Sequence, residues 1–224
     1  MRSFKGLVMM VYSSDGKYII DPNKQEEIEA GTYGRIYKYD DNTCFKVFKY
    51  DGFHKPDPII KIKELSLKNF CKIYDFLYDQ NLQYKGYIMK YYQQDGFDIL
   101  SDKDYLLDSV NGIYDGIMEL TRNLYQVADL HLGNIIINKD GMTLIDFDDF
   151  SKFSSNNTYI NISRYKNLLR ELLYRYLTYH HPIDLLEGLM LIDRLLDKKS
   201  SDLVHLNQTL SLYKKPIDYF NKVL

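Results

Sequence analysis

The stretch 127–150, VADLHLGNIIINKDGMTLIDFDDF, constrains the fold more than any other part of the sequence. It contains two short apolar runs, 135–137 and 142–145, on either side of the turn sequence Asn-Lys-Asp-Gly. Apolar runs that flank a glycine-containing turn predict a β-hairpin. A hairpin brings the residues before its first strand close to those after its second. The sequence therefore predicts that Asn134 and Asp146, which lie at these two ends, converge.

The polar ends of this hairpin admit two interpretations. In the first interpretation, these polar residues are the solvated ends of a plain hairpin. In the second, they bind a metal ion and a phosphate. Asp129 and Asn134 lie in a loop that contains Gly133, and Asp146 directly follows the second strand. Carboxylate and amide oxygens at converging positions are ligands suited to Mg²⁺. These three polar residues therefore form a candidate metal and phosphate site, with the plain hairpin as the alternative.

The composition is that of an ordinary globular protein. The chain has 224 residues, of which 45% are hydrophobic and 27% are charged, so it can form one large domain or two small lobes. The net charge of −2 gives no support for a nucleic-acid partner, which would require clustered Lys and Arg. The apolar run 4–12 is too short to cross a membrane, and a first strand is expected there instead.

The cysteine content points to a reducing compartment. Cys44 and Cys71 are the only cysteines, and both lie inside apolar runs. Two isolated cysteines form neither a disulfide framework nor a zinc site. The sequence therefore predicts free thiols that pack as small hydrophobic groups, and a cytoplasmic location.

The first part of the chain, residues 1–92, is rich in candidate strands and is expected to form a β-rich lobe. One helix, over residues 58–68, interrupts the strands, and a polar linker at 93–98 follows them. The candidate strands are 7–12, 18–21, 27–30, 35–39, 44–50, 71–77 and 87–91.

Helical periodicity dominates the second part, residues 93–224. Apolar residues recur at helical spacing over 106–118, and the pair Asn111-Gly112 predicts a break that splits this stretch into two helices. The hairpin follows, and the pattern after about Asn161 is helical. The helices predicted furthest along the chain are 183–196, 203–213 and a short one after Pro216. The chain is therefore expected to be an α+β protein with a mostly helical second lobe.

Two glycines and a lysine in the first lobe indicate a phosphate-binding surface. Gly31 and Gly34 lie at a strand–turn–strand junction, where glycine lets backbone N–H groups approach a phosphate. Lys46 shares one face of its strand with Cys44 and Phe48. An ammonium on this apolar face is held by anions or lies at an exposed edge, because burying it unpaired costs several kcal/mol. A plain turn and a surface lysine are the alternatives.

The order of these features resembles the protein kinase-like superfamily. Paired glycines, a strand lysine, a helix with an acid, a linker, the spacing Asp-x₄-Asn, a hairpin and Asp-Phe-Asp follow one another over residues 27–150. Each motif is common alone, but the ordered set on matching secondary structure is specific. The resemblance implies a bilobal fold with an antiparallel-sheet N-lobe and a minimal, mostly helical C-lobe. It also implies ATP and Mg²⁺ as cofactors.

In the N-lobe the resemblance implies a nucleotide site. Lys46 would contact the α- and β-phosphates, and the family pairs this lysine with a helix glutamate. Glu64 is favoured for that role, with Asp57 as the alternative. Met89 would be the gatekeeper, and residues 90–92 would offer backbone groups to adenine. The nucleotide-binding residues expected in the Gly-rich loop and the hinge are Gly31, Thr32, Tyr33, Gly34, Ile36, Met89, Lys90 and Tyr91.

In the C-lobe the sequence ADLHLGN resembles the catalytic loop. Asp129 would orient the acceptor hydroxyl and take its proton, while Asn134 and Asp146 would hold Mg²⁺ against the phosphates. His131 stands where a Lys is usual, and it either contacts the γ-phosphate or hydrogen-bonds the backbone. The resemblance thus implies Asp129, Lys46 and His131 as catalytic residues.

Departures from the protein kinase pattern leave the acceptor open. Ala128 replaces the Arg that often grips a phosphorylated activation loop, and Asp148 replaces the glycine of Asp-Phe-Gly. Asp148, and the sequence Asp-Leu-His followed by Gly-Asn that contains His131, resemble aminoglycoside and choline kinases. A protein Ser or Thr hydroxyl is the expected acceptor. A small-molecule alcohol, and a nucleotide-binding pseudokinase without catalysis, are the alternatives.

Overall fold

The computed structural model combines an antiparallel sheet with α-helices, which confirms the predicted α+β class. The residues that the structure describes are 10–50, 55–95, 103–153 and 158–180. The predicted features that fall outside them are the first half of the strand at 7–12, part of the linker at 93–98, the helices at 183–196 and 203–213, and the helix after Pro216. Within the described ranges, no helix is long and apolar enough to cross a membrane.

Seven strands of the first lobe form one antiparallel sheet. They are β1 (Val11–Ser13), β2 (Ile19–Ile20), β3 (Glu26–Ala30), β4 (Gly34–Lys38), β5 (Thr43–Phe48), β6 (Ile73–Tyr78) and β7 (Tyr84–Lys90). Their order in space is β2-β1-β6-β7-β5-β4-β3, so β5 lies between β7 and β4. The register across β5 places Lys46 between Ile36 on one neighbour and Tyr87 on the other.

Besides two single-turn 3₁₀ helices, Pro22–Lys24 and Leu132–Asn134, the other described elements are three α-helices and two short strand pairs. They are α1 (Asp57–Leu65), α2 (Lys103–Arg122), β8 (Tyr125–Gln126), β9 (Ile135–Asn138), β10 (Gly141–Leu144), β11 (Ser151–Lys152) and α3 (Thr158–His180). The strands β9 and β10 form the predicted hairpin, and β8 pairs with β11. The hairpin is tied to the segment before β6, because the N–H of Leu144 donates to the Asn69 carbonyl and the N–H of Cys71 donates to the Leu144 carbonyl, each at 2.8 Å.

The two faces of β5 pack against different groups of side chains, as alternation along a strand requires. Cys44 and Phe48 belong to the main core, which is shared with α1, α2 and α3. Phe45 points the other way, into a smaller cluster with residues of β1, β2, β6 and β7. Lys46 therefore lies on the face that is directed towards the helices, as its spacing predicted. Both cysteines are free and buried, which confirms that prediction too.

The helix α2 is continuous, so the break predicted at Asn111-Gly112 is wrong. A Cβ on Gly112 would lie 1.8 Å from the side-chain oxygen of Asn69, and a Cβ on Gly116 would lie 2.3 Å from the ring of Phe70. These glycines allow the segment between α1 and β6 to approach the helix closely. Their role is packing, and a sequence pattern alone does not separate that role from helix termination.

Candidate active site

Lys46 is the centre of the site, because its buried ammonium is bound by two carboxylates. Its side chain is 7% exposed, and Nζ lies 2.8 Å from Asp146 Oδ1 and 2.5 Å from Asp148 Oδ2. Burial alone would lower the pKa of Lys46, but the carboxylates of Asp148 and Asp146 outweigh it and raise the pKa above its usual value. The predicted anions are present, and they come from the segment that follows β10.

Glu64 does not pair with Lys46 in this structure, which corrects the favoured assignment. Its exposed carboxylate binds Lys61 Nζ at 2.8 Å instead. The helix α1 buries its other face, which consists of Pro58, Ile59 and Ile62. Because Glu64 lies off that face and close to the helix end, it is directed to solvent. Asp57 is exposed as well, at the first turn of the same helix.

Asp148 is the site residue whose role the sequence did not reveal. Its side chain is only 3% exposed, whereas that of Asp146 is 40% exposed. The hydroxyl of Tyr87 donates to Asp148 Oδ1 at 3.4 Å. The signal in the sequence was a carboxylate in place of the family's glycine, two residues after the expected metal ligand.

The predicted Gly-rich loop is the tight connection between β3 and β4. Gly31, Thr32 and Tyr33 are exposed, and Gly31 accepts a hydrogen bond from the Lys49 ammonium through its carbonyl. The next residue, Gly34, is buried against Lys46, since a Cβ there would lie 3.0 Å from Lys46 Cε. Glycine at this position lets β4 cover the lysine side chain closely. Ile36, further along β4, is partly buried against the main core.

The predicted hinge has most of its backbone donors in use. Met89 is buried in the main core. The N–H of Lys90 donates to the Lys72 carbonyl at 2.9 Å, and the N–H of Tyr91 donates to the Asn42 carbonyl at 2.8 Å. Within the described part of the chain, the N–H of Tyr92 has no such partner. It is therefore the first backbone donor of the predicted hinge that no described backbone carbonyl accepts.

The catalytic-loop segment holds Asp129 through two neighbouring side chains. Asn134 Nδ2 donates to the Asp129 carbonyl at 2.9 Å and to its Oδ2 at 3.2 Å. His131 Nε2 lies 3.3 Å from Asp129 Oδ1, while its Nδ1 accepts from the N–H of Gly133 at 3.0 Å. Because Nδ1 is an acceptor, a neutral ring carries its proton on Nε2, the nitrogen that faces the Asp129 carboxylate. The carboxylate is exposed, so an acceptor molecule can approach it.

The structure brings Asn134 and Asp146 to the same end of the hairpin, as predicted. The N–H of Ile145 donates to the Asn134 carbonyl at 2.8 Å, which extends the β9–β10 register by one pair. Asp146 follows directly, with a left-handed backbone at φ 62°, and Asp129 shares that conformation at φ 51°. Both conformations are uncommon outside glycine, although Asp and Asn tolerate them best.

The donor set fits a metal that arrives with a nucleotide better than a metal held by the protein alone. Among the residues described, no group of three or more His, Cys, Asp or Glu side chains is arranged to hold a metal ion. Mg²⁺ is commonly bound by one or two carboxylates together with substrate phosphates. The Asp146 carboxylate and the side-chain oxygen of Asn134 match that pattern, since Asn134 uses its nitrogen for Asp129.

A buried polar network on α3 supports the catalytic loop, and no motif in the sequence pointed to it. Asn161 accepts from the N–H of Val127 at 2.9 Å, and its Nδ2 donates to Thr121 Oγ1 and to the Tyr125 carbonyl, each at 2.8 Å. Further along the same helix, Glu171 accepts from the N–H of Leu132 at 3.3 Å. These contacts hold the segment 127–132 against α3, so the position of that segment depends on the helix.

The antiparallel sheet and the hairpin β9–β10 have the α+β arrangement that the sequence predicted, and the Lys46–Asp146 contact, which the sequence did not predict, joins them. No protein-family model matches the chain, and no curated protein matches it either. Among solved structures it is similar to the kinase PK-1 of Cydia pomonella granulovirus, with a TM-score of 0.46 and 16% sequence identity. The similarity covers 60% of this chain and 57% of that one, so it spans little more than half of the viral kinase. A likeness at this level defines neither a family nor an activity.

Proposed function

We propose that this chain is an ATP-dependent phosphotransferase that moves the γ-phosphate of Mg-ATP to an alcohol hydroxyl. The observation that carries the proposal is the 2.8 Å contact between Lys46 Nζ and Asp146 Oδ1, which joins the sheet to the hairpin. The contact supports the proposal because an ammonium suited to phosphate oxygens lies beside a carboxylate suited to a metal ion. Asp129, which precedes the first strand of the hairpin, supplies an exposed acceptor for a proton.

In this proposal each residue has one task. Lys46 binds phosphate oxygens from the sheet side, and the backbone of the loop at Gly31 covers them. The Mg²⁺ carried by the nucleotide would neutralise charge on the phosphates, held by Asn134 and Asp146. Asp129 orients the acceptor hydroxyl. His131 orients Asp129 in turn, through the contact between its Nε2 and the carboxylate.

The transfer is a single displacement at phosphorus. The acceptor oxygen forms a bond to the γ-phosphorus while the bond from that phosphorus to the β,γ-bridging oxygen breaks, and ADP leaves. The hydroxyl proton passes to the Asp129 carboxylate. Asp is a weak base, but phosphoryl transfer depends mainly on positioning and charge neutralisation, so a weak base is sufficient.

For the acceptor we propose a protein Ser or Thr hydroxyl, because the Asp129 carboxylate is exposed enough for a segment of another chain to reach it. A small-molecule alcohol is the second candidate, and a specific observation favours it. Only residues 149–157 separate Asp148 from the start of α3, and Ser151–Lys152 within them is paired with β8. Little of this segment is left to form a platform for a peptide.

Labelled ATP tests the proposal directly. We expect the wild-type protein to transfer label to a generic basic protein, to itself or to a member of a panel of small alcohols, and Asp129→Ala to transfer none. Mg-ATP should also raise the thermal midpoint of wild type but not that of Asp146→Asn. Stabilisation without transfer to any acceptor would identify the pseudokinase alternative. Absence of stabilisation would remove the nucleotide from the proposal.

A further inference from the structure

The two carboxylates on Lys46 differ in how firmly they are held. Asp148 is 3% exposed and Asp146 is 40% exposed, although they lie two residues apart. Asp148 lies in a turn between Phe147 and Phe150, which are both buried, and the N–H of Phe150 closes the turn on the Phe147 carbonyl at 3.0 Å. The Asp148 side chain is therefore buried in a turn whose neighbours are anchored in the core, whereas the Asp146 side chain borders solvent.

The proposed function requires one carboxylate to stay on Lys46 while the other binds a metal ion. Of the two, the buried Asp148 is suited to stay and the more exposed Asp146 is suited to move. If Asp146 serves a metal on the nucleotide, its carboxylate has to turn away from the ammonium. Among the described residues, Asp148 would then be the remaining carboxylate on the buried Lys46 ammonium, and without it the lysine would depend on the nucleotide phosphates alone. In the protein kinase-like pattern a helix glutamate removes this difficulty, but here Glu64 is bound to Lys61 on an exposed surface.

We propose that Asp148 is the positioning residue that keeps Lys46 directed into the site while Asp146 turns to the metal. The inference rests on the proposed function. Asp148 takes the part that the helix acid plays in the related pattern, but it does so from the segment after the hairpin. The Tyr87 hydroxyl, 3.4 Å from Asp148 Oδ1, supports the carboxylate on its far side. Tyr87 also pairs with Lys46 across β5 and β7, so the lysine and its counter-ion share one rigid neighbour.

The test compares Asp148→Asn with Asp149→Asn in the full chain. Both substitutions remove one negative charge from the same segment, but Asp149 is exposed. The dissociation constant for Mg-ATP should rise about ten- to hundredfold in Asp148→Asn, the value of a hydrogen bond to a charged group, and should stay within about twofold in Asp149→Asn. Titration calorimetry measures both constants without any need for turnover.

A second pair of variants separates positioning from simple stability. In wild type, Asp148→Asn should lower the thermal midpoint, because it removes a carboxylate from the buried Lys46. In the Lys46→Met variant, Asp148 is a buried acid that has lost this cation, so Asp148→Asn should raise the midpoint. Asp148→Glu, which keeps the charge, should bind Mg-ATP more tightly than Asp148→Asn. These comparisons remain informative if Asp148→Asn is poorly stable by itself.

The outcomes distinguish the two proposals. If wild type binds Mg-ATP and Asp148→Asn binds it equally well at a temperature where both are folded, Asp148 has only a structural role and the inference is overturned. The inference is also overturned if Glu64→Gln weakens binding and Asp148→Asn does not. If wild type itself fails to bind Mg-ATP, the proposed function fails first and the positioning role fails with it.

Discussion

The sheet carries two buried lysine–aspartate pairs, one at Lys46 and one at Lys85, and they are built differently. Lys85 Nζ lies 3.2 Å from Asp79 Oδ2, and both side chains are almost completely buried. Asp79 Oδ1 also accepts from the N–H groups of Asn81 and Gln83, at 2.8 and 3.0 Å. All of these groups belong to the turn between β6 and β7 or to its flanks, so this pair stabilises a local connection.

The pair at Lys46 has the opposite design. Its carboxylates come from a segment 100 residues further along the chain, and one of them borders solvent. Lys85 is paired with one nearby carboxylate, that of Asp79. Lys46 is paired with two carboxylates, so it can lose its contact with Asp146 and keep its contact with Asp148. Under the proposed function, the local pair at Lys85 serves stability and the pair at Lys46 serves binding.

The largest expected effect comes from Lys46→Met measured against Lys85→Met. We expect Lys46→Met to lower the rate of phosphate transfer by about 10²–10³-fold, because removing one preorganised electrostatic contact has effects of this size. Labelled-ATP transfer at saturating acceptor measures it. Lys85→Met should keep the wild-type rate, and a comparable loss in both variants would erase the distinction between the two pairs.

Gly86→Ala should damage both pairs together. Gly86 lies between Lys85 and Tyr87 with φ 156°, and a Cβ there would be 1.9 Å from the Lys46 carbonyl oxygen. Because that neighbour is backbone, β5 has to move, and overpacking of this kind costs about 1–3 kcal/mol.

Thermal unfolding and Mg-ATP titration of Gly86→Ala should show a lower midpoint and weaker binding. The matched control is Gly16→Ala, which has a positive φ but no atom within 4 Å of the added carbon. It should lose some stability and bind the nucleotide normally. Equal effects of the two variants on binding would mean that the close approach of β7 to Lys46 has no functional importance.

A smaller effect, confined to stability, is expected from Lys85→Met. Asp79 keeps its two backbone donors but loses its cation, so the thermal midpoint should fall by several degrees while the affinity for Mg-ATP stays unchanged. Differential scanning calorimetry and nucleotide titration measure the two quantities. Weaker nucleotide binding in this variant would show that the local pair also supports the site.

The smallest effects are expected in the pH dependence of the stability that each pair contributes. The contribution of Lys46 should change at alkaline pH, and that of Asp79 at acid pH. The raised pKa of Lys46 means that its pairs stabilise the protein below the usual value of 10.5 and weaken as the pH rises above it. Burial alone would raise the pKa of Asp79, but the N–H groups of Gln83 and Asn81 and the Lys85 ammonium outweigh it and lower the pKa below 3.8. That contribution is present above pH 3.8 and is lost on further acidification.

Thermal midpoints measured across pH check this contrast. On the alkaline side, the difference in midpoint between wild type and Lys46→Met should narrow above pH 10.5. On the acid side, the difference in midpoint between wild type and Asp79→Asn should narrow below pH 3.8. A midpoint difference that narrows near neutral pH in either comparison would contradict the assignment of these groups.

The sequence predicted local features well and long-range pairing poorly, for physical reasons. The alternation around Lys46 predicts its face, and the hairpin brings Asn134 to Asp146, because both depend on short-range geometry. The partner of Lys46 depends on how far α1 extends and which face it buries, which no local pattern reports. Asn161 is similar, since its importance lies in three contacts with distant segments and its own surroundings in the sequence are ordinary helix.

The left-handed backbone at Asp129 affects which substitutions are favoured at this position during evolution. A side chain in that region costs roughly 1 kcal/mol relative to glycine. Because the Asp129 carboxylate is exposed, its hydrogen bonds offset little of this conformational cost. Substitution by glycine would therefore yield a chain that tolerates heat better and has lost its proposed proton acceptor. A library selected only for survival at high temperature should drift towards glycine here, and retention of the acid in a lineage would record selection for chemistry.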